Sequence, residues 1–356
     1  MNKLFLIKVL FLALIINACN YDNKSTENRI VNLESTEVLE GIKLKVSERL
    51  HQIGDIGLAK IDDTYFALIT DRSNIPPLHL INVSEDVYIN ELSRSGRGPG
   101  EFSQAYSISV YENSFIINDP RNYQLTHIPK DVFIDPVKRD YSKFRVDNIQ
   151  FSGLPLNVLP IDSDNYVIIG PIRTSENRRF TRINVDEGTT MLFGSHNSFD
   201  SNIDPSTIQL THREYGTSSN GKGLFATGKY HRDQIEIFNF EGKPIATYKG
   251  LDYNEINFKV DGNQYVLDTD NNIIAYVDIT SNNDYIYALY SGKTLNNSQR
   301  NFGDIIVVID WEGRFITSFR IDQQALKIAV NEENSLLLVG VETEEESGLY
   351  RYNISE

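Results

Sequence analysis

Short hydrophobic runs separated by polar residues recur six times along this chain of 356 residues. Each unit has a hydrophobic strand, a polar break, a second strand and often a third strand after a turn. Several runs alternate between apolar and polar residues, as strands with one solvent-facing side do. The strands that open the six units are residues 65–69, 114–117, 166–169, 224–226, 285–289 and 336–339.

The six units have a regular length. Their anchor residues lie 50, 51, 59, 61 and 50 residues apart, and they are Tyr65, Phe115, Tyr166, Phe225, Ile286 and Leu336. In the fourth and fifth units, Gly242 and Gly313 supply hairpin turns before the third strand. Four-stranded units of about 50 residues are typical of β-propeller blades. The sequence therefore predicts an all-β fold, a six-bladed β-propeller of four-stranded antiparallel blades.

The two ends of the chain predict how the ring closes. The sixth unit stops at Glu356 without an outer strand, whereas residues 41–46 have strand character and no partner of their own. An unpaired edge strand exposes backbone donors and acceptors to unwanted pairing. We therefore expect the early segment to complete the last blade.

The stretch Gly-Arg-Gly-Pro-Gly-Glu-Phe at residues 96–102 lies between the first two units. One interpretation is functional, with Arg97 and Glu101 contacting a ligand. The other is structural and accounts for every residue type: the glycines form a turn, Glu101 accepts backbone hydrogen bonds and Phe102 packs between blades. We favour the structural one. Because no Gly-Lys-Ser/Thr follows and no helix begins there, the stretch is not a phosphate-binding loop.

The amino-terminal residues predict an export signal. Lys3 and Lys8 precede or flank an apolar run that is too short to span a bilayer, and residues 16–19 read Ile-Asn-Ala-Cys. This resembles a bacterial lipobox, which would make Cys19 the lipidated first residue of the mature chain. The alternative is an incidental thiol behind a shorter signal peptide. Residues 19–35 are polar and read as a tether. The predicted segments are thus a signal peptide (1–18), a lipidated tether (19–35) and a propeller (36–356).

The composition of the chain limits the kinds of partner and site that it can have. The chain has 34 basic and 49 acidic residues, a formal net charge of -15, which disfavours nucleic acid as a partner. A single cysteine permits neither an intrachain disulfide nor a thiolate metal cluster. The six histidines lack zinc-site spacing and no nucleophile motif occurs, so we expect no catalytic residues, no metal site and no cofactor.

The turn at residues 96–102, placed between blades and after a lipoprotein signal, resembles the family of six-bladed TolB-like propeller lipoproteins and, more distantly, NHL-repeat propellers. The resemblance covers residues 36–356 and implies the propeller fold. It does not imply an enzymatic activity.

Strand alternation places the loop between the second and third strands on the same face as the connection to the next blade. We expect charged loop residues to meet there around the channel, as a binding face for carboxylates or sugar hydroxyls. An alternative is that each arginine pairs with a neighbouring acid or caps a turn. The candidate ligand-binding residues are Asp71, Arg72, Arg97, Glu101, Asp119, Arg121, Arg173, His231, Arg232 and Asp233.

Two functions remain from the sequence. The first is a monomeric, membrane-anchored lipoprotein of a Gram-negative outer membrane, periplasmic or surface-exposed, whose propeller binds a glycan, peptide or envelope protein. The second is a metal-dependent hydrolase or lyase of the lactonase-like propeller type, which rests on analogy of fold alone.

Overall fold

The computed structural model describes residues 37–73, 78–112, 114–133, 141–151, 153–172, 178–196, 211–218, 221–261, 264–343 and 347–355. The predicted signal peptide, Cys19 and the tether lie outside these residues, as does Arg173. Within the described ranges, no helix is long and apolar enough to cross a bilayer.

Four separate antiparallel sheets of four strands follow one another along the chain. After the short strands β1 (Val38–Leu39) and β2 (Ile42–Lys43), blade 1 consists of β3 (Ile53–Ile61), β4 (Thr64–Asp71), β5 (Leu78–Asn82) and β6 (Val87–Glu91). The strand pair β7 (Arg94–Ser95) and β8 (Glu101–Phe102) follows. Blade 2 consists of β9 (Ser107–Tyr111), β10 (Ser114–Asp119), β11 (Gln124–Pro129) and β12 (Arg145–Asn148).

Blades 3 and 4 repeat this order. Blade 3 consists of β13 (Asn157–Pro160), β14 (Asn165–Ile169), β15 (Phe180–Asn184) and β16 (Thr189–Phe193). Blade 4 consists of β17 (Glu214–Ser218), β18 (Leu224–Lys229), β19 (Gln234–Asn239) and β20 (Pro244–Lys249), and the hairpin β21 (Phe258–Asp261) and β22 (Gln264–Leu267) comes after it. Three 3-10 helices lie at Lys45–Arg49, Lys130–Phe133 and Tyr141–Lys143.

The last two blades share one long strand. The remaining strands are β23 (Ile273–Ser281), β24 (Tyr285–Thr294), β25 (Gly303–Asp310), β26 (Phe315–Val330), β27 (Leu336–Glu342) and β28 (Ser347–Asn353). The first part of β26 pairs with β25 and its last part pairs with β27, so it is both the outer strand of blade 5 and the inner strand of blade 6. The single eight-stranded sheet therefore contains two blades, which makes six.

The amino-terminal segment closes the ring as predicted. Strand β2 pairs antiparallel with β28, with Ile42 opposite Arg351 and Lys43 opposite Tyr350. Ser47 then locks the junction, because its hydroxyl donates to the Leu44 carbonyl at 2.5 Å and accepts the Leu349 N–H at 2.8 Å. Both chain ends thus stabilise blade 6 and its outer edge is covered.

One correction concerns strand order. The segments predicted as first, second and third strands of each unit are the second, third and fourth strands of the blades. In blade 1, for example, β3 precedes the predicted opening strand, which is β4. Apart from β9, whose residues 106–111 have a strand-like pattern, the inner strands were missed because polar residues that face the channel interrupt their hydrophobic pattern, as Asp55 does in β3.

The core lies between adjacent blades, where apolar side chains of neighbouring sheets meet. Phe102 is 2% exposed and packs with Leu68 of blade 1 and Phe115 of blade 2. The turn before it is structural, since a Glu101 side-chain oxygen accepts the N–H groups of Arg97 at 3.1 Å and Gly98 at 3.0 Å. These are the contacts that the structural interpretation of the glycine-rich stretch expected, and ligand binding by Arg97 and Glu101 stays a prediction.

Candidate functional site

The loops between second and third strands and the blade connections open on one face, as the strand alternation predicted. They surround a cavity of about 220 Å³ at the channel mouth. The connections contribute Tyr106, Leu156 and Arg213, and the loops contribute Arg72, Tyr230 and Asn301.

A second cavity of about 260 Å³ adjoins the first and has a different lining. Tyr106, Leu156 and Arg213 belong to the walls of both cavities. The rest of the second cavity is largely apolar, with Leu154 and Ile169 on its wall. The mouth is therefore one cleft with a polar half over the channel and an apolar half beneath blades 3 and 4.

Arg213 stands where the two halves join. Its guanidinium lies 4.6 Å from the ring centre of Tyr230 and 5.2 Å from that of Tyr215, and it donates a hydrogen bond to the Tyr215 hydroxyl. Arg213 is solvent-exposed, and no carboxylate of the described residues forms an ion pair with it. Two aromatic faces thus hold a positive charge in place by cation–π attraction without neutralising it.

Deeper in the channel, a lysine joins two carboxylates. Lys327 Nζ lies 2.9 Å from Asp278 Oδ1 and 3.2 Å from Asp55 Oδ1. Burial opposes the charge on Lys327, but the two carboxylates outweigh it and raise the pKa of this group. The ammonium therefore stays charged and links blade 6 to its two neighbours, blades 5 and 1.

The same carboxylates also fasten neighbouring inner strands. Asp55 accepts the Ile108 N–H of blade 2 at 2.8 Å, and Asp278 accepts the Ile328 N–H of blade 6 at 2.9 Å. In blade 3, Asn157 accepts the Gly216 N–H of blade 4 at 3.2 Å. In a closed barrel, adjacent strands would be joined by backbone hydrogen bonds. Here, polar side chains on the inner strands accept backbone N–H groups of the next blade instead.

Behind the apolar half lies a buried cluster of four charges, Arg179, Lys229, Glu214 and Glu236. Arg179 bonds Glu214 through Nε at 2.9 Å and reaches Glu236 at 2.6 Å. Lys229 lies 3.0 Å from Glu214 and 3.2 Å from Glu236. Although burial alone would raise the pKa of Glu214, Arg179 and Lys229 hold it well below its ordinary value. The cluster is neutral overall and joins blade 3 to blade 4.

Two stacked histidines line the same half of the cleft. The rings of His196 and His212 lie 4.5 Å apart with an angle of 19° between them. Burial lowers the pKa of His196 to about 4 and that of His212 to about 2, with the Lys229 charge adding to the effect. Both rings are therefore uncharged at neutral pH, and they add no positive charge to the cleft.

Of the predicted candidates, Arg72 is the one that the structure places on the wall of the mouth cavity. Its guanidinium donates to the Ile53 carbonyl at 2.9 Å and lies 3.3 Å from Glu342. Asp71 is buried beside it and accepts the N–H groups of His51 and Gln52.

The candidates in the connection to blade 2 lie together, away from Arg72. Arg97 donates through Nε to Asn122 at 3.1 Å, and Asp119 accepts the N–H groups of Ser103 and Arg121. Glu101 serves the turn described above, and the Arg121 side chain is exposed.

The remaining candidates belong to the loop after β18 and are mostly occupied by their neighbours. Arg232 is 5% exposed and bonds Glu255 at 2.6 Å. Asp233 accepts the Tyr276 hydroxyl at 2.6 Å, and burial raises its pKa to about 6. Burial lowers the pKa of His231 to about 4. Ligand binding by these residues stays a prediction.

Arg213 and Lys327 are charged residues of the mouth and the channel that the sequence prediction did not select, and Asn157 and Asn301 were not selected either. Arg213 ends the connection to blade 4, and blade connections were already expected to reach this face, so its position was an available signal. Lys327 had none, because it lies on an inner strand that the hydrophobic pattern did not reveal.

A ring of six blades around a polar channel, with a ligand-sized cleft at one mouth, defines this protein as a β-propeller with one candidate binding face. The chain belongs to the TolB-like 6-blade propeller-like family, whose model matches residues 57–333. This confirms the resemblance drawn from the glycine-rich turn. No curated protein matches the chain in sequence.

Several solved structures share the fold at low sequence identity. A member of the DUF4221 family from Bacteroides vulgatus is 9% identical, with a TM-score of 0.55 over 90% of this chain and 96% of the other. A Bacteroides fragilis protein described as exported is 13% identical, with a TM-score of 0.54 over 93% and 98%. A Bacteroides thetaiotaomicron protein of unknown function is 11% identical, with a TM-score of 0.51 over 90% and 74%. At these identities the likeness is one of fold.

Proposed function

We propose that this chain is a membrane-anchored lipoprotein whose propeller binds a glycan, peptide or partner protein at the channel mouth and does not transform it. The observation that carries the proposal is Arg213, an exposed guanidinium held between two tyrosines on the wall shared by both cavities. Arginine is a preferred group for binding carboxylates, and no carboxylate of the described residues forms an ion pair with Arg213.

The proposed address is the outer membrane of a Gram-negative bacterium, with the propeller in the periplasm or on the cell surface. It rests on the lipobox-like residues 16–19, which lie outside the described structure, and on the likeness to a protein described as exported. The described chain enters at β1 and β2, beside the blade that closes the ring. A lipidated tether would therefore hold the propeller by its most firmly fastened blade.

Lipidation is tested by growing cells with an alkyne analogue of palmitate and separating membranes from soluble protein. We expect the wild-type chain to be labelled and to sediment with membranes. A single acyl chain binds a membrane only weakly, whereas several chains on one cysteine anchor it stably. The Cys19→Ser chain should lose the label. If this variant is still labelled and still sediments with membranes, Cys19 is not the anchor.

The binding face is tested with the full-length protein in lipid nanodiscs, offered a glycan and peptide array and an extract of cell envelopes. Arg213→Gln and Arg72→Gln change the mouth, while Arg314→Gln changes an exposed arginine in the β25–β26 turn on the opposite face. We expect the two mouth variants to weaken binding and the control to leave it unchanged. Equal effects of all three would show that the face is wrongly assigned.

The alternative, a metal-dependent hydrolase or lyase, needs channel carboxylates that are open to a cation. Asp55 and Asp278 instead share the Lys327 ammonium, and each accepts a backbone N–H from the next blade. Among the residues that the structure describes, no three His, Cys, Asp or Glu side chains are grouped so as to hold a metal ion. The contacts of these carboxylates favour a structural role, which supports binding as the function.

A further inference from the structure

The two halves of the mouth differ in chemistry, and a ligand that matches both must be amphipathic. The apolar half presents Leu154, Ile169 and Ile172, whereas the polar half presents Asn157 and Asn301. The apolar half has a volume of about 260 Å³, which is below the roughly 300–1,000 Å³ of pockets for drug-sized ligands. It therefore suits one apolar side chain.

Arg213 offers a negative charge a place that both halves share, whereas the exposed Arg178 lines the apolar half alone. A guanidinium carries five N–H donors, and Arg213 uses one of its nitrogens for the Tyr215 hydroxyl. The planar arrangement of the donors matches the two oxygens of a carboxylate. Because this residue lies on the wall of both halves, a carboxylate bound to it would sit directly beside the apolar half.

The polar half offers donors to an extended ligand. Asn157 uses its oxygen to accept the Gly216 N–H, and Asn301 uses its oxygen to accept the Tyr230 hydroxyl at 2.6 Å. Neither amide nitrogen donates to another residue in the described part of the chain. Two amide donors on the wall of the same cavity as Arg213 suit the carbonyl groups of a peptide backbone.

Resting on the proposed function, we propose that the mouth binds the carboxyl terminus of a peptide or protein whose last residue is apolar. Arg213 receives the terminal carboxylate, the apolar half takes the last side chain, and the two asparagines hydrogen-bond the preceding peptide groups. Capture of a C-terminal carboxylate is a recurring mode of peptide recognition.

Other ligand classes match only part of this arrangement. A neutral glycan would leave the charge of Arg213 unmatched and would place hydroxyl groups against Leu154 and Ile169, where they lose their hydrogen bonds to water. A free aliphatic acid would match Arg213 and the apolar half but would leave both asparagine nitrogens without acceptors. The peptide is the class that matches Arg213, the apolar half and both asparagines.

The test uses the full-length protein in lipid nanodiscs and fluorescence anisotropy of labelled tetrapeptides. The reference probe is fluorescein-Gly-Ala-Gly-Leu with a free carboxylate. Its C-terminal amide should bind about ten to a hundred times more weakly, because a charged hydrogen-bonded contact is lost. The free acid that ends in Ser should bind about ten times more weakly or worse, because the apolar half is left unfilled.

Variants assign each effect to its group. Arg213→Gln should remove the difference between acid and amide, and Leu154→Ser should reduce the difference between Leu and Ser endings. Leu154 is 45% exposed, so the substitution should leave the fold intact. Arg314→Gln is the matched control and should change neither comparison.

Three results would overturn the inference: no binding of the free-acid probe at millimolar concentration, equal binding of acid and amide, or displacement by hexanoate at the same concentration as by the unlabelled peptide. The first two would leave the proposed function standing if envelope extract still binds in an Arg213-dependent manner. If Arg213→Gln changes neither assay, the mouth is not a binding site and both proposals fall.

Discussion

The buried cluster of Arg179, Lys229, Glu214 and Glu236 supports the sharpest test of how this propeller is held together. Changing Glu214 to Gln keeps the shape of the side chain and removes one of two negative charges. Arg179 and Lys229, with side chains 6% and 9% exposed, would then share a single carboxylate. One positive charge is left buried without compensation, which destabilises proteins by about 3–5 kcal/mol.

That loss should be visible as a fall in melting temperature. With an unfolding entropy of roughly 2.1 cal/mol/K per residue, a propeller of this size gives an entropy of unfolding of about 0.7 kcal/mol/K, so the expected fall is about 4–7 °C. Thermal unfolding followed by circular dichroism measures it, and urea unfolding gives the free energy directly.

A surface pair and a compensated variant provide the controls. Glu312 pairs with Arg314 at 3.1 Å with both side chains about two-thirds exposed, so Glu312→Gln should change stability by less than about 0.5 kcal/mol. The double variant Glu214→Gln with Lys229→Met restores neutrality and should recover at least half of the loss. If Glu214→Gln melts with the wild type, or the double variant is no more stable than the single one, the reasoning is wrong.

The charges of this cluster also determine whether stability rises or falls with pH. Burial and the nearby Arg179 lower the pKa of Lys229 from its ordinary 10.5. The unfolded chain therefore holds the Lys229 proton more tightly than the folded one, so the contribution of this group to stability rises with pH. Once Glu214 is neutral the effect is stronger, and the deficit of Glu214→Gln should be larger at pH 6 than at pH 9.

Three further predictions concern closure, the glycine-rich turn and acid sensitivity. Ser47→Ala removes one hydrogen bond that joins the amino-terminal segment to blade 6 and one within that segment, and it should cost about 1–3 kcal/mol by urea unfolding, whereas Ser355→Ala at the exposed chain end should cost almost nothing. Glu101→Ala should cost about 1–2 kcal/mol and leave binding by the mouth unchanged; a loss of binding without a loss of stability would favour a ligand contact. Because burial lowers the pKa of His231 from 6.5 to about 4, its contribution is present above pH 6.5 and is lost as pH falls toward 4. His231→Gln should therefore reduce the stability lost between pH 7 and pH 5 by on the order of 1–2 kcal/mol, and an unchanged pH profile would contradict this.

The second and third strands of each blade, and the fourth strands of blades 4 and 5, were predictable because their signal is local. Apolar residues on the second strands, such as Leu68 and Phe115, face the adjacent sheets and alternate or cluster regardless of the distant chain. Ring closure was predictable by elimination, since residues 41–46 and the last blade each lacked a partner. Both predictions depend on patterns that a few consecutive residues carry.

The inner strands and the mouth were less predictable because their side chains are selected by partners far away in sequence. On its inner strand, the Asp55 carboxylate accepts the Ile108 N–H and pairs with Lys327, and neither of these residues is near Asp55 in the sequence. Such polar residues interrupt the hydrophobic pattern of the inner strands, which is the pattern that would have revealed those strands. Arg213 is likewise defined by Tyr215 and Tyr230, which belong to two different strands or loops.

The contrast among the arginines shows why the candidate site could not be chosen from charge alone. Arg232 is satisfied by Glu255, Arg179 by two glutamates, and Arg72 approaches Glu342, so their charges are wholly or partly used within the fold. Arg213 is held by aromatic rings, which fix its position but do not neutralise its charge. Below it, Lys327 of blade 6 pairs with Asp55 and Asp278 of the two adjacent blades, so its charge is also used within the fold. A ligand with a carboxylate should therefore bind at the mouth, where the Arg213 charge is not paired with a carboxylate of the described residues.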